Sequence, residues 1–381
     1  MSTDPFGDIP LFRELQRLLA ASEGPINLEI GSQIARAISS QHGEAPLTAE
    51  IRAAYDQAVH DAELALSGYT RLALDARMQS RVVTRDEWVS LTIAGWRWLL
   101  EHFATRLASG LVAQGGEAPP QGTMEQVIKQ IAPLLLGVQA GTLIGHYSAE
   151  TLGRYDVPIP IKGEDHLFFV NANVDKLIES YGFEGDRFKR WISLRDAARH
   201  LIFSARPWTA SYHRSLVTEL VDSIEIDMAD VERRITDIQA GGMEALQEGM
   251  GMDAFMPIVP TERHRKAVER LQAFIAAVDG YASHAAGRVA GSLGADDPRI
   301  DEGVARHEAS PSEGKALIQS MFGIERDRAV EAAGQNFCAA VVQLRGLAEL
   351  NRVWEAADNL PTLAEIRDPF VWMERVLDSE A

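Results

Sequence analysis

Ten histidines, one cysteine and 55 carboxylates are the raw material for chemistry in this chain. A helical zinc site of the H-E-x-x-H kind needs a second histidine four residues after the first, so that both imidazoles share one helix face. Only His307 is followed by glutamate, and the position four after it is Pro311, which cannot ligate. That match is chance. No G-x-G-x-x-G follows a strand, and neither a G-x-x-x-x-G-K-[ST] loop nor a G-x-S-x-G elbow occurs. The single Cys338 excludes a disulfide framework and a cysteine-rich zinc site, and it reads as a small core residue rather than a nucleophile.

The informative run is Arg195-Asp196-Ala197-Ala198-Arg199. Its helix carries Phe188, Trp191, Ile192, Ile202 and Phe203 on one apolar face, and the two arginines, four apart, fall on that face. Unpaired buried charge is costly, so the arginines either reach solvent along their apolar stems or are paired inside. A second helix runs from His264 to about Val289, with Val268, Leu271, Ile275, Val278, Ala282 and Ala285 on its apolar face. Asp279 lies at the margin of that face, as a partner for the arginines or as an ordinary surface aspartate. Asp196 and His200 are also four apart and are both of types able to ligate a metal. The segment SYHRSLVTELVDSIEID places His213 and Glu219 on a following helix, as cleft acids, bases or ligands, or as solvated polar residues.

Helical periodicity supplies the elements that would position these groups. Leu11, Leu15, Leu18 and Leu19 mark an early helix, and Ile51, Tyr55, Val59, Ala62, Leu66 and Tyr69 a second. Asp86 can cap a third, carrying Trp88, Leu91, Ala94, Trp98 and Leu99. Met124 to Leu152 holds Gly137, Gly141 and Gly145 at four-residue spacing, interrupted by Lys129, Gln139 and His146. This predicts a tightly packed core helix rather than a membrane span. Val157–Ile161 and His166–Val170, with Lys162–Asp165 between them, predict one small β hairpin. Pro207 ends or bends the arginine helix. Breaks are expected at Leu293–Asp301 and Glu308–Glu313, and the tail Asn359–Pro369 is expected to wrap over the surface.

These signals divide the chain into an N-terminal helical region (1–153), a core with the small β element (154–239), a flexible loop rich in Gly and Met (240–261) and a C-terminal helical region (262–381), together one structural unit. The net charge of −18 makes nucleic acid and anionic membrane unfavourable partners. The N-terminus lacks a basic stretch followed by an apolar one, and apolar runs stop well short of ~20 residues, so a cytoplasmic protein is expected.

Several segments, in order, carry a family resemblance: PFGDIPLFRELQRLL, EGPINLEIGSQIARAI, LGRYDVPIP with LFFVNANVDKL, WISLRDAARHLIFSARPW, and RGLAELNRVWEAADNLPTLAEIRDP. The chain resembles the actinobacterial zincin-like metallopeptidase type 2 family, also described as hydrolases associated with deazaflavin coenzyme biosynthesis. The resemblance implies a mainly α, zincin-like multi-helix bundle and covers most of the chain. It also implies that the H-E-x-x-H helix of that family is degenerate here. Arg195 stands at the first ligand position, Asp196 at the general-base position and Arg199 at the second ligand position. Val278-Asp279-Gly280-Tyr281 stands where a third ligand would come from, at Asp279. Arginine has no lone pair for zinc, and a hydrolytic zinc centre needs ligands, an open position and a base. The expectation is a relative without zinc or other cofactor and without catalysis, binding an unknown protein or small molecule or acting as a scaffold. The alternative is a cytoplasmic metal-dependent, peptidase-like hydrolase, holding zinc in an altered site that draws on Asp196, His200, His213, Asp279 and Glu219. An accessory protein with no pocket function is a third reading.

Overall fold

Helical propensity and apolar spacing account for most of this molecule. The computed structural model describes residues 24–41, 43–113, 124–163, 165–225, 259, 261–322 and 328–378. The early leucine helix lies outside these residues, as does nearly all of the 240–261 loop.

Helix α1 (Leu28–Ser39) opens on Asn27, whose side chain accepts from the Ile30 amide. Helix α2 (Ala49–Thr70) opens in the same way on Thr48. Helix α3 (Arg85–Ala113) follows strand β1 (Ser80–Val83) directly. Its cap is Thr84 rather than the expected Asp86: Thr84 and Glu87 exchange hydrogen bonds at 2.9 and 3.1 Å, a capping box. Asp86 instead adds negative charge to the first turn and ion-pairs with Arg36 at 3.2 Å.

The glycine-spaced helix is α4 (Met124–Ser148), and it packs on α1. A methyl at Gly137 would strike the Asn27 carbonyl, one at Gly141 the Gly31 carbonyl, and one at Gly145 would lie 2.8 Å from Ile38 Cβ. The helices meet backbone to backbone, which only glycine allows, so the stripe is a core contact as its spacing predicts. Gly141→Ala should therefore destabilise by at least the ~1–3 kcal/mol typical of overpacking. Urea unfolding would check this, and an unchanged midpoint would contradict the close approach.

The β element differs from the expected hairpin. Strand β2 (Leu167–Val170) is real and fully buried, but its partner is β1, with Ser80 opposite Leu167 and the strands parallel. Residues 157–161 form no strand. Pro158 and Pro160 remove two ladder donors there, and Val157, Ile159 and Ile161 point into the core instead.

Helix α5 (Asn171–Tyr181) leads into α6 (Gly185–Ala205), the arginine helix, which Glu184 caps by accepting from the Asp186 and Arg187 amides. Pro207 then stands at the N-cap position of α7 (Trp208–Asp222), without a side-chain capping bond. Helix α8 (Glu262–Val289) opens on Thr261 and crosses α6, α7 and α2. Helices α9 (Pro298–Ala309), α10 (Glu313–Phe322) and α11 (Arg328–Arg345) follow, separated by breaks close to the expected ones.

The tail is not a surface wrap. Helices α12 (Leu347–Asn351), α13 (Leu363–Arg367) and α14 (Pro369–Met373) pack on α11, burying Ile366, Trp372 and Met373. Most buried apolar residues join one cluster running from Ile26 to Val376, so the N- and C-terminal helical regions share a core. No described helix is long and apolar enough to cross a membrane.

Candidate functional site

Helix α6 is buried along most of its length, and this turns both arginines inward. Arg199 retains 7% side-chain exposure and Arg195 14%, too little for either to escape to water. Each is met by carboxylates from other elements. Arg199 Nε donates to Asp279 Oδ1 of α8 at 2.6 Å, joining the two helices. Its Nη1 donates to the Arg195 carbonyl oxygen at 3.3 Å and lies 4.0 Å from Asp196 Oδ1. Arg195 Nη2 donates to Glu308 Oε1 of α9 at 2.6 Å and lies 3.9 Å from Asp156 Oδ1. The Arg195 guanidinium also sits over the Trp191 ring at 5.4 Å, and the Trp191 indole donates to Asp301 at 2.8 Å.

The backbone fixes these carboxylates. Gly280 lets α8 approach α11 so closely that a methyl there would collide with the Gly334 carbonyl, which sets the height of Asp279. Asp156 Oδ2 accepts from the Leu152 and Gly153 amides at 2.6 and 3.0 Å, pinning the loop. Glu308 lies in the last turn of α9, just before the break at Pro311. Asp156 and Glu308 are the partners that sequence reasoning missed. Glu308 follows His307 in the chance H-E match, but the feature that brings it to the site is the helix end, not the motif.

Asp196 lies between the two pairs with no exposed surface, and neither carboxylate oxygen has a hydrogen bond of normal length. Burial, and after it the Asp156 charge, pushes its pKa up to about 6 against the opposing pull of Arg199 and Arg195. Burial also disfavours the Arg195 charge, but Glu308 and then Asp156 outweigh this, and its pKa is raised.

The arginine pairs border a cavity of about 520 Å³ whose wall includes Trp191, Asp279, Ser283, Asp301 and Glu308. This donor set does not suit zinc. Arg195 and Arg199 are guanidinium groups without lone pairs, and Asp279 and Glu308 are each spent on an arginine. Among the described residues, no group of three or more His, Cys, Asp or Glu is placed to hold a metal ion.

The remaining candidates lie apart from this centre. His200 turns its Nδ1 to the Tyr155 hydroxyl at 2.8 Å, and His213 Nε2 meets the Pro158 carbonyl oxygen at 3.0 Å. Both line a different cavity. Asp196 lines neither this cavity nor the first, and the hydrogen bond of His200 Nδ1 goes to Tyr155. Glu219 is exposed and ion-paired with Arg270 at 2.6 Å. Cys338 is buried, and burial pushes its thiol pKa up, as suits a core residue.

A long helical chain with one buried polar centre on facing helices matches a known family model, that of the zincin-like metallopeptidases, over residues 26–373. The chain belongs to that family. Its fold is shared with a solved protein of Chloroflexus aurantiacus described as "a putative hydrolase with a novel fold". The two are 22% identical with a TM-score of 0.68, over 93% of this chain and 100% of that one. No curated protein sequence matches.

Proposed function

We propose that this chain is a non-catalytic member of its family, in which paired arginines occupy the metal-ligand positions and the surviving cleft binds a protein or small molecule. The observation that carries this reading is the Arg199–Asp279 ion pair, which engages the second and third ligand positions with each other. A bidentate-capable guanidinium is suited to holding an interior carboxylate, and here it supplies the positive charge a metal would otherwise bring. Asp196, at the general-base position, adds support: it is sealed from solvent and does not line the cleft, so it cannot reach a substrate where it stands.

The test is metal analysis of the untagged protein together with peptidase and esterase assays, with and without added zinc. The expected result is no stoichiometric zinc and no turnover. A full equivalent of bound zinc, or hydrolysis abolished by Asp196→Ala, would overturn the proposal in favour of the hydrolase. The triple variant R195H/D196E/R199H rebuilds an H-E-x-x-H helix facing Asp279. It is expected to take up about one equivalent of zinc, since three of its groups then suit tetrahedral coordination.

A further inference from the structure

The second cavity, of about 610 Å³, collects positive charge in an otherwise strongly acidic chain. Arg77, Arg154, Lys162 and Arg214 line it, against two carboxylates, Asp75 and Asp165. Among the described residues, none of the four cations has a carboxylate within ion-pair distance, whereas most arginines elsewhere do. Arg154 is half-buried. It donates to the His166 carbonyl oxygen at 3.0 Å and sits 5.7 and 5.8 Å over the Tyr155 and Phe168 rings, leaving donors of its fork unused. Arg214 donates to the Ser211 hydroxyl at 3.0 Å.

Three aromatic rings form part of the wall, beside the polar Gln79, His166 and Ser204. Tyr155 stacks on Phe203 with centroids 5.5 Å apart and planes 4° from parallel, and Phe203 stacks on His213 at 6.0 Å. Burial holds His200 and His213 neutral, with pKa values lowered to about 3 and about 4, so neither adds charge.

We infer that this cavity binds a small anion in which a phosphate or carboxylate is joined to a flat apolar body: Arg154 and Arg214 take the anionic group, and the Tyr155–Phe203–His213 stack takes the ring. The site lies on a different face of α6 from the arginine–carboxylate centre and is independent of the function proposed for that centre.

Titration calorimetry of the full chain at low salt tests this with phenyl phosphate, benzoate and uncharged benzyl alcohol. Phenyl phosphate or benzoate is expected to saturate one site at least tenfold more tightly than benzyl alcohol, and the tighter of the two identifies the headgroup. Arg154→Met and Arg214→Gln should each weaken that binding about tenfold, and Arg328→Gln, beside the other cleft, should leave it unchanged. Arg214 bonds only a surface serine, so its variant tests the site even if Arg154→Met fails to fold. Absence of saturable binding, equal affinity for benzyl alcohol, or full affinity in the Arg214→Gln variant would overturn the assignment.

Discussion

Asp279→Ala should lower the unfolding free energy by about 3–5 kcal/mol, because it leaves the Arg199 guanidinium buried without its counter-ion. The size of the loss follows from burial. An exposed pair is worth about 0–1 kcal/mol, since water solvates whichever charge is left behind. Arg199 has little water to turn to, and its remaining contacts are a carbonyl at 3.3 Å and the Asp196 carboxylate at 4.0 Å. Removing both charges has the opposite logic. The pair was costly to desolvate, so Arg199→Met with Asp279→Leu should recover most of the loss and could exceed wild-type stability. Urea unfolding of the wild type, Asp279→Ala and the double variant decides the matter. A loss below about 1 kcal/mol for Asp279→Ala would mean that the centre is wet.

Asp196 makes the second large prediction, one that depends on pH. Its folded pKa, about 6, lies above the ordinary value of 3.8, so the folded state binds the proton more tightly than the unfolded chain does. Below pH ~4 the group is protonated in both states and costs nothing through its charge. Between ~4 and ~6 the unfolded chain ionises first, and stability falls as pH rises. Above ~6 the full penalty is present, on the order of 2–3 kcal/mol. Paired carboxylates with depressed pKa values work in the other direction, so the Asp196 contribution must be isolated by difference. Subtracting the stability profile of Asp196→Asn from that of the wild type should leave a curve that descends from pH 4 to 6 and is then flat. A rising or level difference would show that Asp196 is stabilised as an anion.

Periodicity exposed the arginine helix, the facing helix and the apolar face that carries Arg195 and Arg199, because a 3.6-residue repeat reports which face is buried; whether the arginines reached solvent or paired inside stayed open. Four-residue glycine spacing likewise exposed the α1–α4 contact. Asp156 and Glu308 were not legible, because each owes its place to a loop or a helix end rather than to a repeat. The parallel partner of β2 was hidden for a related reason. Ser80–Val83 is four residues long, far from residue 167, and carries no turn signal to tie it there. The Lys162–Asp165 turn made the neighbouring Val157–Ile161 look like half of a hairpin, whereas the amides missing at Pro158 and Pro160 keep it out of any ladder. Asn359–Pro369 looked like surface because of its prolines, but Trp372 and Ile366 anchor the segment around them.

The β1–β2 ladder also bears on how the chain folds in time. Its register closes a loop from residue 80 to residue 167, and no local turn can nucleate it. Loop-closure entropy must be met before the ladder returns any energy, so helices such as α2 and α6 are expected to form before it does. Apolar truncations in Val82 or Phe169 should then appear chiefly as faster unfolding with a nearly unchanged folding rate. The two-stranded sheet, the one sheet among the described residues, would thus be a late-closing latch.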